Sequence, residues 1–66
     1  MIIIVNGKET EINDEMTVLA LLNLKQIASE TVVVELNKEI IPSDTFDNTM
    51  LNDGDHLEVL RFVGGG

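Results

Sequence analysis

The chain closes on Arg61-Phe62-Val63-Gly64-Gly65-Gly66. Three consecutive glycines followed by an α-carboxylate are the residues here whose type and spacing could do chemistry. Glycine has no Cβ, so this run is the thinnest strip of backbone that a chain can offer to another protein's active site. Three extended residues reach on the order of 10 Å. A carboxylate on such a strip could be presented for activation by a partner. Chain ends are also commonly disordered, and terminal glycines can be mere filler. On the tail alone the two readings stand side by side.

The elements that must position the tail come next. His56-Leu57-Glu58-Val59-Leu60-Arg61-Phe62-Val63 alternates and is rich in β-branched residues, which predicts a strand over 56–63 with order stopping at Gly64. Residues 1–63 are therefore expected to form one domain, and 64–66 a flexible tail.

Upstream, Asn6-Gly7 is the dipeptide that best tolerates positive φ at both positions of a hairpin turn. A two-residue loop pairs Val5 with Lys8, Ile3 with Thr10 and Met1 with Ile12. Met1, Ile3, Val5 and Ile12 then face the core, while Ile2, Ile4, Glu9 and Glu11 face solvent. Asn13 to Glu15 reads as a turn. Thr17 is the expected N-cap of a short helix whose stripe is Val18, Leu21 and Leu22 and whose pattern fades by Lys25. Ile27 to Ser29 reads as a loop, with Ile27 closing the core. Thr31 to Leu36 and Glu39 to Ile41 read as strands joined by a turn at Asn37-Lys38 and stopped at Pro42. Ser43 to Thr49 is an irregular crossover plugged by Phe46, and Asn52 to Asp55 is a tight turn.

One helix cannot cover both faces of a sheet, so it must lie across a single mixed sheet of four to five strands, an α+β arrangement. If the last strand sits beside the first, Leu60 and Phe62 would come next to Ile2 and Ile4. That would make an apolar patch beside the tail, a mark of a partner site.

Composition narrows the functions. Sixty-six residues are near the lower limit for an unaided core, and 44% apolar content is enough to build one. Without cysteine there is no disulfide, thiol nucleophile or thiolate ligand. A net charge of −8 repels phosphate backbones and anionic lipid, so neither nucleic acid nor membrane is an expected partner. The apolar run Met1 to Val5 is too short to span a bilayer. A cytoplasmic protein is expected. No metal site is expected either: His56 stands alone, and Asp53 and Asp55 lack the ligand series of a calcium loop. Arg61 could pair with Glu58 or with an acidic group of a partner.

The strand order, the segment Glu35-Leu36-Asn37-Lys38-Glu39-Ile40-Ile41-Pro42, the turn Asp53-Gly54-Asp55 and the ending Phe62-Val63-Gly64-Gly65-Gly66 together resemble the ThiS family of thiamine-pathway sulfur carriers. The likeness covers the whole chain, although the run has three glycines where the family pattern needs two. The resemblance implies a β-grasp (ubiquitin-like) fold and a protein cosubstrate rather than an enzyme. It implies that Gly66 is adenylated by an E1-like (ThiF-like) enzyme and then converted to a thiocarboxylate, with Gly64 and Gly65 threading that enzyme's site. ATP and magnesium would belong to the partner, and none would be bound here. Sulfur would come indirectly from a cysteine desulfurase or another donor and pass to thiazole synthase (ThiG-like). Related alternatives are the small subunit of molybdopterin synthase and a ubiquitin-like modifier. A β-grasp binding module, for which the tail is irrelevant, is the alternative of a different class.

Overall fold

A computed structural model describes residues 1–61. The expected end of the last strand, Phe62 of the apolar patch, the 63/64 boundary and all three tail glycines lie outside the described residues. Strands β1 (Ile2–Val5) and β2 (Lys8–Glu11) form the hairpin, with Ile3 opposite Thr10 and Val5 opposite Lys8 as the turn chemistry requires. Asn6 and Gly7 take φ of 50° and 83°, the left-handed pair that a two-residue loop demands. Ile3, Val5 and Ile12 are buried and Met1 packs against them.

Helix α1 (Val18–Leu24) begins at Thr17, whose side chain accepts from the Ala20 amide at 3.1 Å. The two preceding helical amides are satisfied from a distant part of the chain. Val18 donates to the Thr49 carbonyl at 2.9 Å and Leu19 to the Phe46 carbonyl at 3.0 Å. The crossover is thus fastened to the helix start, and Phe46 is 2% exposed, plugging the core as its isolated position in a polar segment predicts. The crossover is less irregular than expected, since Ser43–Thr45 forms one 3-10 turn.

At its far end α1 closes in a Schellman arrangement. Gln26 adopts φ 60°, its amide donates to the Asn23 carbonyl, and Ile27 reaches the Leu22 carbonyl at 2.8 Å. A second 3-10 turn, Ser29–Thr31, takes Thr31 out of the expected strand, because its hydroxyl donates back to the Ala28 carbonyl at 2.6 Å. Strand β3 (Val32–Leu36), strand β4 (Glu39–Ile41) and strand β5 (His56–Arg61) complete a sheet of order β2-β1-β5-β3-β4. All neighbours are antiparallel except β1 and β5, which run parallel. This is the β-grasp architecture: one mixed five-stranded sheet with α1 against one face. Among the described residues no helix is long and apolar enough to cross a membrane.

The first and last strands are neighbours, but their register separates Leu60 from Ile2 and Ile4 of the expected apolar patch. Ile4 stands opposite His56 and Val5 opposite Leu57, while the Ile2 carbonyl accepts from Gly54 at 2.7 Å. Parallel strands match start to start. The end of β5 therefore runs past the end of β1, and Leu60 lies opposite Val33 of β3, far along the strand from Ile2. Ile2 and Leu60 are each about half exposed, at 46% and 51%, but on separate parts of the uncovered face.

Candidate functional site

The described residue next to the glycine-bearing segment is Arg61, so the site is built around how the last turn of β5 is held. One edge pairs with β3 through Val59–Val34, Leu60–Val33 and Arg61–Val32. On the other edge β1 has already ended at Val5, and a side chain takes over. The Asn6 amide donates to the Leu57 carbonyl at 2.8 Å. The Asn6 carboxamide then both accepts from the Val59 amide, at 2.8 Å, and donates to the Val59 carbonyl, at 3.3 Å. Asn6 serves β5 as one more strand residue would. Its turn role was visible in the Asn-Gly dipeptide, but this second role needs the parallel neighbour that the sequence does not reveal.

The start of β5 is pinned in the same manner. Asn37 accepts from the His56 amide at 2.9 Å and donates to Asp55 Oδ1 at 3.1 Å, while Asp55 Oδ2 accepts from the Asn52 amide at 2.7 Å. Asp53 Oδ1 accepts from the Ile2 amide at 2.7 Å. The two aspartates thus lock the turn at Gly54, whose φ of 86° suits glycine, onto β1 and the β3–β4 turn. Among the described residues no group of three His, Cys, Asp or Glu could hold a metal ion.

Beside Val59 and Arg61 lies a groove of about 410 Å³, lined by Val5, Asn6, Lys8, Lys25, Ile27, Val59 and Arg61. Its floor is apolar and its rim is cationic. Of the four basic residues in the chain it gathers three, and none of the twelve acids lines it. Each reaches the groove for a local reason. Lys8 opens β2 directly after the hairpin turn, opposite the inward-facing Val5. Lys25 caps α1, where a cation suits the negative end of the helix dipole. Ile27 is turned in by the left-handed Gln26. Arg61 shares the inward parity of Leu57 and Val59, which places Glu58 on the opposite face of the same strand. The pairing of Arg61 with Glu58 is therefore not made. No signal in the linear sequence joins positions 8, 25 and 61.

The opposite face of the sheet has no helix over it. There Glu58 stands directly opposite Glu35, Leu60 opposite Val33, and Ile4 opposite Glu9. Ile40, 67% exposed, continues the Glu58–Glu35 row on β4.

A five-stranded β-grasp domain whose central strand is held on both edges as far as Val59 and on the β3 edge to Arg61 belongs to the class of small ubiquitin-like domains. Comparison with known proteins specifies the class. The model of the ThiS family matches residues 3–66, a span that includes the whole glycine run. The sulfur carrier protein ThiS of Bacillus subtilis (strain 168) is 40% identical over 62 residues, covering 92% of this chain and 94% of that protein. The crystal structure of the thiamine biosynthesis protein ThiS from Geobacter metallireducens superposes with a TM-score of 0.87 at 40% identity, covering all of both chains. A thiazole synthase of Paramagnetospirillum magneticum is 42% identical over 66 residues, all of this chain. The chain spans only 20% of that synthase's length. The chain belongs to the ThiS family, the sulfur carriers of thiamine biosynthesis.

Proposed function

We propose that this chain carries sulfur as a thiocarboxylate on Gly66, as a protein cosubstrate and not as a catalyst. The observation that carries the reading is the family match through residue 66, a span that includes the glycine run three residues after the last described strand residue, Arg61. A carboxylate resists a sulfur nucleophile because its charge repels attack. In the proposed sequence a Gly66 carboxylate oxygen attacks the α-phosphorus of ATP in an E1-like adenylating enzyme, and pyrophosphate leaves. A persulfide's terminal sulfur then attacks the neutral acyl carbon and expels AMP. A thiol cleaves the resulting S–S bond, leaving the thiocarboxylate and a disulfide. ATP and magnesium are taken to reside in the partner. Gly64 and Gly65 would thread its site, where a side chain would obstruct both attacks. A cysteine desulfurase is the proposed ultimate sulfur source, and a cytoplasmic location accords with these partners.

Thiazole synthase is the proposed acceptor. Supporting it are the similarity to the Paramagnetospirillum enzyme and to a thiazole synthase of Magnetococcus marinus, 35% identical over 61 residues. Leu60 and Phe62 are proposed as the apolar partner contacts nearest the tail, with Ile2 and Ile4 as a second, separate spot.

The test is the intact mass after incubation with a thiamine-pathway adenylating enzyme, MgATP and a cysteine-derived sulfur source. A gain equal to sulfur replacing one oxygen, mapped to Gly66 and dependent on ATP, is expected. An unchanged mass with a demonstrably active enzyme would sink the proposal.

A further inference from the structure

We propose that the groove between Lys8, Lys25 and Arg61 is a docking site for an acidic segment of the enzyme that activates the tail, a segment that also brings an apolar side chain. The proposal rests on the adenylation reading above and adds where the partner must hold this protein.

The argument is one of charge complementarity. The chain carries a net charge of −8, yet three of its four Lys and Arg side chains surround one groove, and among the described residues no carboxylate lines it. In a molecule this acidic the groove is the place where a partner's carboxylates find opposite charge, and its Val5, Ile27 and Val59 floor accepts an apolar side chain. Its position gives the charge a use. Arg61 and Val59 belong both to the groove and to the end of β5 that leads into the glycine-bearing segment.

The activation step joins two anions, a carboxylate on an acidic protein and the polyphosphate of ATP, and their approach is repelled. An acid-to-cation contact at the root of the tail offsets that repulsion and fixes the orientation in which the tail enters. The proposed sulfur-acceptor step does not use ATP, which is why the contact is assigned to the activating enzyme. Charged contacts of this type act on encounter rate and specificity and are weakened by salt.

The experiment measures the Kd of the full chain for the adenylating enzyme across a salt series. Wild type is compared with Lys8→Glu/Lys25→Glu, with the milder Lys8→Gln/Lys25→Gln, and with Lys38→Glu. Lys38 is the remaining cation and sits in the β3–β4 turn away from the groove. Thermal melting confirms that each variant is folded, and the neutral pair serves where the charge reversal is not. The expected result is a Kd raised about tenfold or more by the double reversal at about 0.1 M salt, a smaller rise for the neutral pair, and a change within about twofold for Lys38→Glu. The salt dependence should flatten in the groove variants.

Groove variants that bind as wild type does would overturn the inference. So would an equal loss in Lys38→Glu, which would make net charge the whole effect. Thiocarboxylation of wild type with unaltered binding by the groove variants sinks this inference while sparing the proposed function. Wild type that neither binds nor gains mass removes both.

Discussion

Alternate residues of β5 lead to two different surfaces, and the contrast between them organises the molecule. Leu57, Val59 and Arg61 point toward α1, passing from the fully buried core to the cationic groove. His56, Glu58 and Leu60 point to the uncovered face, where Glu58 meets Glu35 head-on and Leu60 meets Val33. One face is closed, apolar and fringed with positive charge. The other is open, with carboxylates set among exposed aliphatic side chains. A single strand therefore runs between surfaces of opposite sign as far as Arg61, which gives the protein a direction as well as a net charge.

The contrast can be broken most severely from the closed side. Phe46→Ala removes the plug beneath the crossover that also supplies α1 with a carbonyl. It should cost about 3–5 kcal/mol in urea denaturation, whereas Leu60→Ala on the open side should stay within about 1 kcal/mol. Equal losses would mean that the open face is packed in solution. Next in size, Asn6→Ala deletes both side-chain hydrogen bonds to Val59. A loss of about 1–2 kcal/mol is expected, with amide exchange accelerated at Val59 more than at Leu57, whose carbonyl is held by the Asn6 backbone. Uniform acceleration along β5 would show that the carboxamide does not brace the strand end.

Smaller effects sharpen the picture. Glu35→Lys turns the facing pair with Glu58 from repulsion to attraction and should stabilise by about 0.5–1 kcal/mol at low salt, with the gain fading as salt is added. Gln26→Gly relieves the left-handed position that closes α1 and turns Ile27 toward the groove. A gain of about 0.5 kcal/mol in chemical denaturation is expected. A loss would mean that the Gln26 side chain contributes packing that outweighs its backbone strain.

Much of this fold is legible before any coordinates, and for local reasons. Asn6-Gly7 dictates a turn with one register, which sets Ile3 and Val5 on one face and Ile2 with Glu9 and Glu11 on the other, and the glutamates mark the second face as the one left to solvent. Thr17 and the Val18, Leu21, Leu22 stripe define α1 because capping and helical periodicity operate within a few residues. The site is less legible because it depends on the stagger of β5 beside β1. Nothing in either strand encodes that stagger. It is set by the Asp53 and Gly54 contacts to Ile2, and it moved Leu60 away from the spot expected from strand adjacency alone. The same stagger brings Lys8 and Lys25 beside Arg61, residues whose proximity has no signature in the chain.

The braced end of β5 also has a mechanical meaning. A pull applied at Arg61 along the strand axis meets bonds to β3 and to β1 with Asn6 that lie across that direction on both edges. They are loaded together, in shear, rather than peeled one after another as an edge strand would be. The sheet can thus act as an anchor for a load applied at Arg61, while the domain behind it keeps its shape.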